Sequence, residues 1–371
     1  ASRSFSITVQ NDAPSNHFNT VIYTGNNSTQ SISTVGFEPG MIWFKNRSGT
    51  NAHAVVDIVR TRSSYIYPNL TQAPGISGAA NDVTSFDSLG FSLGPVSQAG
   101  SVNTTTGGSN NLVAWNFKAG GAATTIAANT VGNTIASDVS VNNTLGFSIV
   151  KYTGNNTAGA TVGHGMDAVP ELIIWKGLTS VSGWKVYCNQ FTSPTTQVVE
   201  LQDTAAVSTN TVFINGTAPS TSLITLGAYG DTNGSGQDIV TYNFTSKSGF
   251  SKVGSYTGAR PNDVLVQTGF QPAFVMIKAS NATDDWFIVD DKREGTSAPT
   301  KSLLANSSAI ESSFTGVEFL TNGFKLVGSA NSGGTNNSGT TFIYLAIAAD
   351  GSTATPSLAN SFATEIYTGN G

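Results

Sequence analysis

Side chains able to do acid–base or nucleophilic chemistry are few in this chain and lie far apart. There are three histidines, His17, His53 and His164, and one cysteine, Cys188. A hydrolytic or transfer site needs a base held beside a nucleophile, and none of these histidines belongs to such a motif. They read as turn or surface residues. Cys188 ends the run Trp184-Lys185-Val186-Tyr187-Cys188 and reads as a buried, inert thiol. The acidic pairs Asp284-Asp285 and Asp290-Asp291 flank the apolar stretch beginning at Trp286. A glycosidase needs two carboxylates facing one bond, whereas neighbours on a strand point to opposite faces, so these pairs read as solvated strand ends. The segment Asp231-Thr232-Asn233-Gly234-Ser235-Gly236-Gln237-Asp238 offers oxygen donors at alternate positions, as calcium loops do. Asp231, Asn233, Ser235 and Asp238 are therefore candidate Ca²⁺ ligands. A plain hairpin turn competes with that reading, because Tyr242 stands where an EF-hand places its bidentate Glu. No other cofactor is implied, and the chain reads as non-enzymatic.

Charge narrows the partners. A formal net charge of -5 and a pI near 5.1 give no basic field for a phosphate backbone, which argues against nucleic acid. No apolar run approaches the roughly 20 residues that cross a bilayer, which argues against a membrane span. The opening residues Ala-Ser-Arg-Ser-Phe-Ser lack the apolar core of a signal peptide, and a lone cysteine allows no intrachain disulfide. Asn-x-Ser/Thr triplets such as those at Asn69, Asn103, Asn215, Asn243 and Asn281 arise by chance in a chain this rich in Asn, Ser and Thr.

The elements that must position these side chains are strands. Charged residues make up 11% of the chain, yet 39% is hydrophobic and 9% aromatic, so it folds despite its low charge. Thr, Val, Phe, Tyr and Ile favour strands, Gly and Asn supply turns, and helix-forming stretches are short. Internal repetition organises the whole. Tyr-Thr-Gly recurs at Tyr23, Tyr152, Tyr256 and Tyr367. Pro39, Pro170 and Pro272 each precede an apolar run that closes six residues later on Lys45, Lys176 and Lys278. Such a run reads as a strand buried on both faces or in a sandwich core. Trp43 and Trp175 read as matching core residues in these runs. Ala54-Val55-Val56-Asp57, Trp184 to Tyr187, and Trp286 to Asp290 read as the strands that pair with them across a short hairpin.

The repeats predict an all-β protein: three tandem antiparallel, jelly-roll-like β-sandwiches at 18–121, 147–249 and 250–351. Around them lie an arm at 1–17, a linker at 122–146 holding at most one edge strand, and a segment at 352–371 carrying the opening strand of a partial fourth repeat. The second copy has only a weak counterpart, around Val212 to Gly216, of the strand pair near Phe86 to Phe91 and Phe319 to Phe324. Asp57 with Arg60 recurs as Asp290 with Arg293 and reads as ion pairs tying strand ends together, while the second copy has Cys188-Asn189-Gln190 there.

The ordered set of Tyr-Thr-Gly-Asn, Gly-Phe-x-Pro before a Lys-terminated apolar strand, the Asp57/Arg60 pair, Asn322-Gly323-Phe324-Lys325, and Trp115-Asn116-Phe117-Lys118-Ala119-Gly120-Gly121 resembles a repeated domain of bacteriophage tail-fibre-like structural proteins. The resemblance spans residues 18–371 and implies a virion-surface or extracellular structural protein without catalytic residues. The expected function is a non-enzymatic fibre subunit, a rod of sandwiches that associates with copies of itself by strand pairing. Phe5, Ile7 and Val9 in the arm, and Phe362, Ile366 and Tyr367 in the last segment, are the candidate assembly residues. The alternative expectation is an adhesion module that recognises cell-surface glycans with exposed aromatic residues.

Overall fold

A computed structural model describes residues 12–97, 99–105, 110–328 and 334–350. The assembly candidates Phe5, Ile7, Val9, Phe362, Ile366 and Tyr367 lie outside the described residues. What is described is nearly all strand, and every ladder between named strands is antiparallel. Each repeat forms one large sheet and one small sheet.

The first large sheet has the spatial order Phe18–Thr24, Asn111–Phe117, Met41–Asn46, Ala54–Asp57, Thr61–Ile66, Gly75–Ile76. The third repeats it with Ser251–Thr257, Thr341–Ala348, Pro272–Ala279, Trp286–Asp290, Lys301–Leu304 and Ser312–Ser313. The second has the same middle order, Phe147–Thr153, Asp238–Phe244, Leu172–Gly177, Trp184–Cys188, Gln197–Glu200, Ser208–Thr209, with two more strands outside Phe147–Thr153. Those two, Ser137–Asn142 and Thr124–Ile126, come from the stretch expected to be a linker. Its lack of large aromatics suggested a spacer. Its Val139 is nonetheless buried, and the pair of strands extends the second sheet.

The three runs ending at Lys45, Lys176 and Lys278 occupy equivalent central strands, as their spacing predicts. Side chains alternate across a sheet, so each run serves two cores. Ile42 and Phe44, Ile173 and Trp175, and Val275 and Ile277 face the small sheet of their own unit. Met41 and Trp43, Leu172 and Ile174, and Phe274 and Met276 face a single central cluster contributed by all three units. A linear rod of independent sandwiches is therefore not what forms; the three large sheets turn their second faces toward one another. Trp43 and Trp175 are both buried, but they are not matching residues. Trp43 stands two places before its Lys and Trp175 one, and that single-residue offset sends Trp43 to the shared centre and Trp175 into its own sandwich. There Trp175 meets Phe213 edge-on, with centroids 6.2 Å apart. Phe213 lies in a turn, so the small sheet of the second unit has two strands, Ala160–Gly163 and Leu223–Leu226, against three in each of the others.

The Tyr-Thr-Gly marker also has a structural cause. The Tyr23, Tyr152 and Tyr256 hydroxyls donate to the carbonyls of Val102, Thr232 and Thr335 at 2.6, 2.5 and 2.7 Å. The next residue in each case, Asn103, Asn233 or Asn336, is buried. Its backbone carbonyl accepts from Asn27, Asn156 or Arg260, and its amide side chain spans the same loop. Gly25, Gly154 and Gly258 lie against this turn so closely that a Cβ would meet the backbone of Thr104, Gly234 or Asn337. Only glycine fits.

Because the central cluster is common property, we expect one cooperative unfolding transition for the whole chain. Ile174→Ala, which hollows the shared centre, should lower its stability by about 2–5 kcal/mol in denaturant melts. A three-step melt in which only the second unit responds would contradict this arrangement.

Candidate functional site

Lys45, Lys176, Lys278, His53, Asp57 and Asp290 lie at the junctions between units, in two belts. The first belt is built by the strand-ending lysines. The ammoniums of Lys45, Lys176 and Lys278 are fully buried. Each donates to a carbonyl of a neighbouring unit: Lys45 to Ser308 at 3.1 Å, Lys176 to Thr71 at 2.9 Å, Lys278 to Thr204 at 2.8 Å. A second carbonyl, of Asn46, Ser182 or Asp284, accepts from each at 2.6 Å, and Lys45 has a third acceptor in the Gly49 carbonyl at 3.1 Å. The three acceptors lie five residues beyond the equivalent positions Ile66, Val199 and Leu303, so the contacts run first unit to third, second to first, third to second. They close a ring with threefold pseudosymmetry. Burial pushes all three lysines down to about 8, partly offset by nearby acids.

One turn of the junction further on, Trp184 Nε1 donates to the carbonyls of Tyr67 and Leu70 at 3.0 Å each, and Trp286 Nε1 to Glu200 at 2.9 Å. The equivalent residue of the first unit is His53, whose Nε2 lies 2.9 Å from the Leu304 carbonyl. His53 is fully buried, not a surface residue. Its Nδ1 accepts from Trp43 Nε1 at 2.8 Å, so Nε2 carries the proton and the ring is neutral. Burial, with the Lys45 charge added, pushes it down to about 3. Space explains the exchange: where Trp184 and Trp286 are large, their neighbours Ile174 and Met276 are smaller, whereas His53 accompanies Trp43.

The second belt uses the recurrent acid. Asp57 accepts from the amides of Val59 and Arg60 at 3.0 and 2.8 Å and from Arg60 Nε at 2.6 Å. Its Oδ2 also takes the Tyr242 hydroxyl of the second unit at 2.6 Å. Asp290 repeats the arrangement with Arg293 Nε at 2.7 Å and Trp115 Nε1 of the first unit at 3.0 Å. Both pairs are buried, so Asp290 is not a solvated strand end. The second unit has Cys188 at this position, and the residue of the third unit equivalent to Tyr242 and Trp115 is Leu345. Cys188 and Leu345 both belong to the central apolar cluster. Where the carboxylate is absent, the donor is absent too. A buried polar donor or acceptor left without its cross-unit partner would cost about 1–3 kcal/mol, which accounts for the joint change.

Three of the four Ca²⁺ candidates bond to protein partners. Asn233 is the buried loop clamp described above, donating to the Thr157 and Gly227 carbonyls at 3.0 and 2.9 Å. Asp231 bonds the Ser182 hydroxyl at 2.8 Å and Lys185 at 3.3 Å, while Asp238 bonds Thr153 at 2.7 Å and Lys151 at 3.0 Å. Ser235 is exposed. The segment contains one helical turn, Gly230–Asn233, instead of a plain hairpin. Among the described residues, no three His, Cys, Asp or Glu side chains gather as a metal site. Cys188 is buried and burial raises its thiol to about 12. His164 is buried as well, donating to the Ser220 carbonyl at 3.1 Å and accepting the Met166 amide at 3.2 Å.

Where the three sheets meet, a cavity of about 20 Å³ is lined by Met41, Trp43, Ile174, Tyr242, Met276, Leu345 and other apolar side chains. With an apolar lining it is a packing void, not a reaction chamber. A surface cleft of about 200 Å³ bounded by Gln271, Asp291, Lys292, Gly295, Thr296 and Ser297 holds neither histidine nor cysteine. The arrangement defines an all-β class in which one chain closes three related sandwiches around a common centre. The chain belongs to the family described as Domain of unknown function (DUF7483), whose model matches residues 13–350 and so takes in all three units. No curated protein and no solved structure matches it.

Two outcomes test the belts. His53→Trp alone should overfill the junction and destabilise by about 1–3 kcal/mol, and adding Trp43→Met should restore most of the loss, measured as a double-mutant cycle. Acid should unfold the chain through its neutral histidines. Burial holds His53 at about 3 and His164 at about 4 against 6.5 unfolded, so their contribution is complete above pH 6.5 and is lost as pH falls toward 4 and 3. Replacing both by Gln should flatten the melting temperature between pH 6.5 and 4.

Proposed function

We propose that this chain is a non-enzymatic structural building block of an extracellular or virion-surface fibre that associates with copies of itself by strand addition. The observation that carries the reading is what the junction chemistry is used for. The recurrent lysines, acids and indoles, the residues best able to do chemistry, hold one unit to the next. A chain closed on itself in this way is a rigid block with few exposed charges.

Its remaining valence lies at sheet edges. Among the described residues, Ser251–Thr257 and Phe18–Thr24 each have one neighbouring strand, Thr341–Ala348 and Asn111–Phe117, with Lys247 bridging Ser251 at the start of the former, whereas Phe147–Thr153 is flanked on both sides. An edge strand with free backbone groups is a template for another strand. The repeat-opening sequence at Phe362, Ile366 and Tyr367 is the donor in this reading, and a head-to-tail contact of that kind builds an open filament. Sedimentation and electron microscopy of the purified chain, with and without residues 362–371, test it. Oligomers or fibres are expected for the full chain and monomers for the truncated one; a monomeric full chain that binds cell-surface glycans would overturn the proposal.

A further inference from the structure

We propose that the seam between the first and third units binds one divalent cation of the calcium class, held by the Asp291 and Asp350 carboxylates and the Thr20 hydroxyl. These three residues line one cavity of about 40 Å³ together with Ser15, Phe18 and Ala273. That volume has room for an ion with a water or two, not for an organic ligand. The wider cleft of about 200 Å³ shares Asp291 and Lys292 with it, which gives a path from solvent.

Two buried oxygens in this lining lack a partner. Thr20 is 5% exposed, and its hydroxyl meets no hydrogen-bond partner. Asp291 Oδ1 is likewise buried and unpaired. The other Asp291 oxygen lies 3.7 Å from the ammonium of Lys292, a half-exposed side chain too distant for a hydrogen bond. Asp350 accepts the Ser15 N–H with one oxygen at 2.7 Å. Burial raises the Asp291 carboxyl above its usual value, and Lys292 offsets this only in part. A buried hydroxyl and a buried carboxylate left unpaired are both costly, and one cation satisfies both.

The sibling units show that closing a seam does not require this polarity. Three residues before the marker tyrosine, where the first unit has Thr20, the others have Ile149 and Val253, both members of the central apolar cluster. Asp291 follows the belt position Asp57, Cys188 or Asp290 and so corresponds to Ile58 and Asn189. Asp350, by the registers of the closing strands, corresponds to Gly120 and Lys247. A hydroxyl and two carboxylates thus replace apolar, neutral or basic residues together, at the seam where the two ends of the ring meet. Packing does not call for that joint change, whereas an ion does. A hydroxyl with two carboxylates suits Ca²⁺, which accepts irregular oxygen ligands, better than Mg²⁺, which demands near-octahedral geometry. So few charged ligands place the expected Kd in the weak class, about 10⁻⁴–10⁻³ M. The assignment does not depend on assembly into a fibre.

Calcium titration of the full chain tests this, and the sibling units supply the variants. Calorimetry with CaCl₂ should give one site per chain, and millimolar CaCl₂ should raise the melting temperature more than MgCl₂ at the same concentration. Thr20→Val should weaken binding about 10-fold or more, and Asp291→Asn should reduce it below detection. In calcium-free buffer Thr20→Val should melt no lower than the native chain, because it removes an unpaired hydroxyl and installs the residue of the third unit. This variant decides the matter even where Asp291→Asn does not fold. Asp238→Asn, in the loop at 231–238, should leave calcium binding unchanged. A native chain that binds no calcium, an affinity unchanged by Thr20→Val, or a loss on Asp238→Asn equal to that on Asp291→Asn would overturn the proposal.

Discussion

Each central strand is apolar on both faces, and one sandwich can cover only one of them. The rest of the architecture follows from that constraint. Ile42 and Phe44 find a partner in their own small sheet, but Met41 and Trp43 do not, and the same holds for Leu172 with Ile174 and Phe274 with Met276. Burying such side chains is worth about 1.5–3 kcal/mol each, so three exposed faces would be a large loss. Placing three related units in one chain solves it, because each second face covers the other two.

Bringing large sheets together also buries their polar groups, and the junctions show how these are satisfied. Lysines meet carbonyls, the indoles of Trp184 and Trp286 meet carbonyls, and Asp57 and Asp290 each have both an arginine of their own unit and a donor from another. Divergence among the units obeys this accounting. Pro74 replaces the residue whose amide, in Val207 and Glu311, bonds the carbonyl of Ser280 or Arg47 across a junction, and no amide is left stranded there. Arg47 and Glu311 add an ion pair at 2.9 Å to the first-to-third junction.

One family model spanning residues 13–350 is consistent with the whole three-unit block being the folding entity. The ring places the start of the first unit beside the end of the third: Ser15 N–H donates to Asp350 at 2.7 Å, and Phe18 packs against Phe274. Both ends of the described chain thus emerge at one junction.

By itself the sequence determined the strands, the threefold repetition and the central position of the Pro-to-Lys runs, because alternation, turn residues and spacing are local properties. It also marked Tyr23, Tyr152 and Tyr256 as equivalent, although not that their hydroxyls cap a neighbouring turn. It could not show which face of each run meets which core, since a continuous apolar run carries no period; Trp43 and Trp175 look alike in sequence and lie on opposite faces. Nor could it show that 122–146 extends a sheet, or that Asn233 is buried and clamps its own loop. The tertiary structure alone decided that His53 does the work of a tryptophan, and that Asp57 answers Tyr242 while Cys188 accompanies Leu345. Those matches join residues from different repeats, and only the packing of three sheets around one centre brings them within reach.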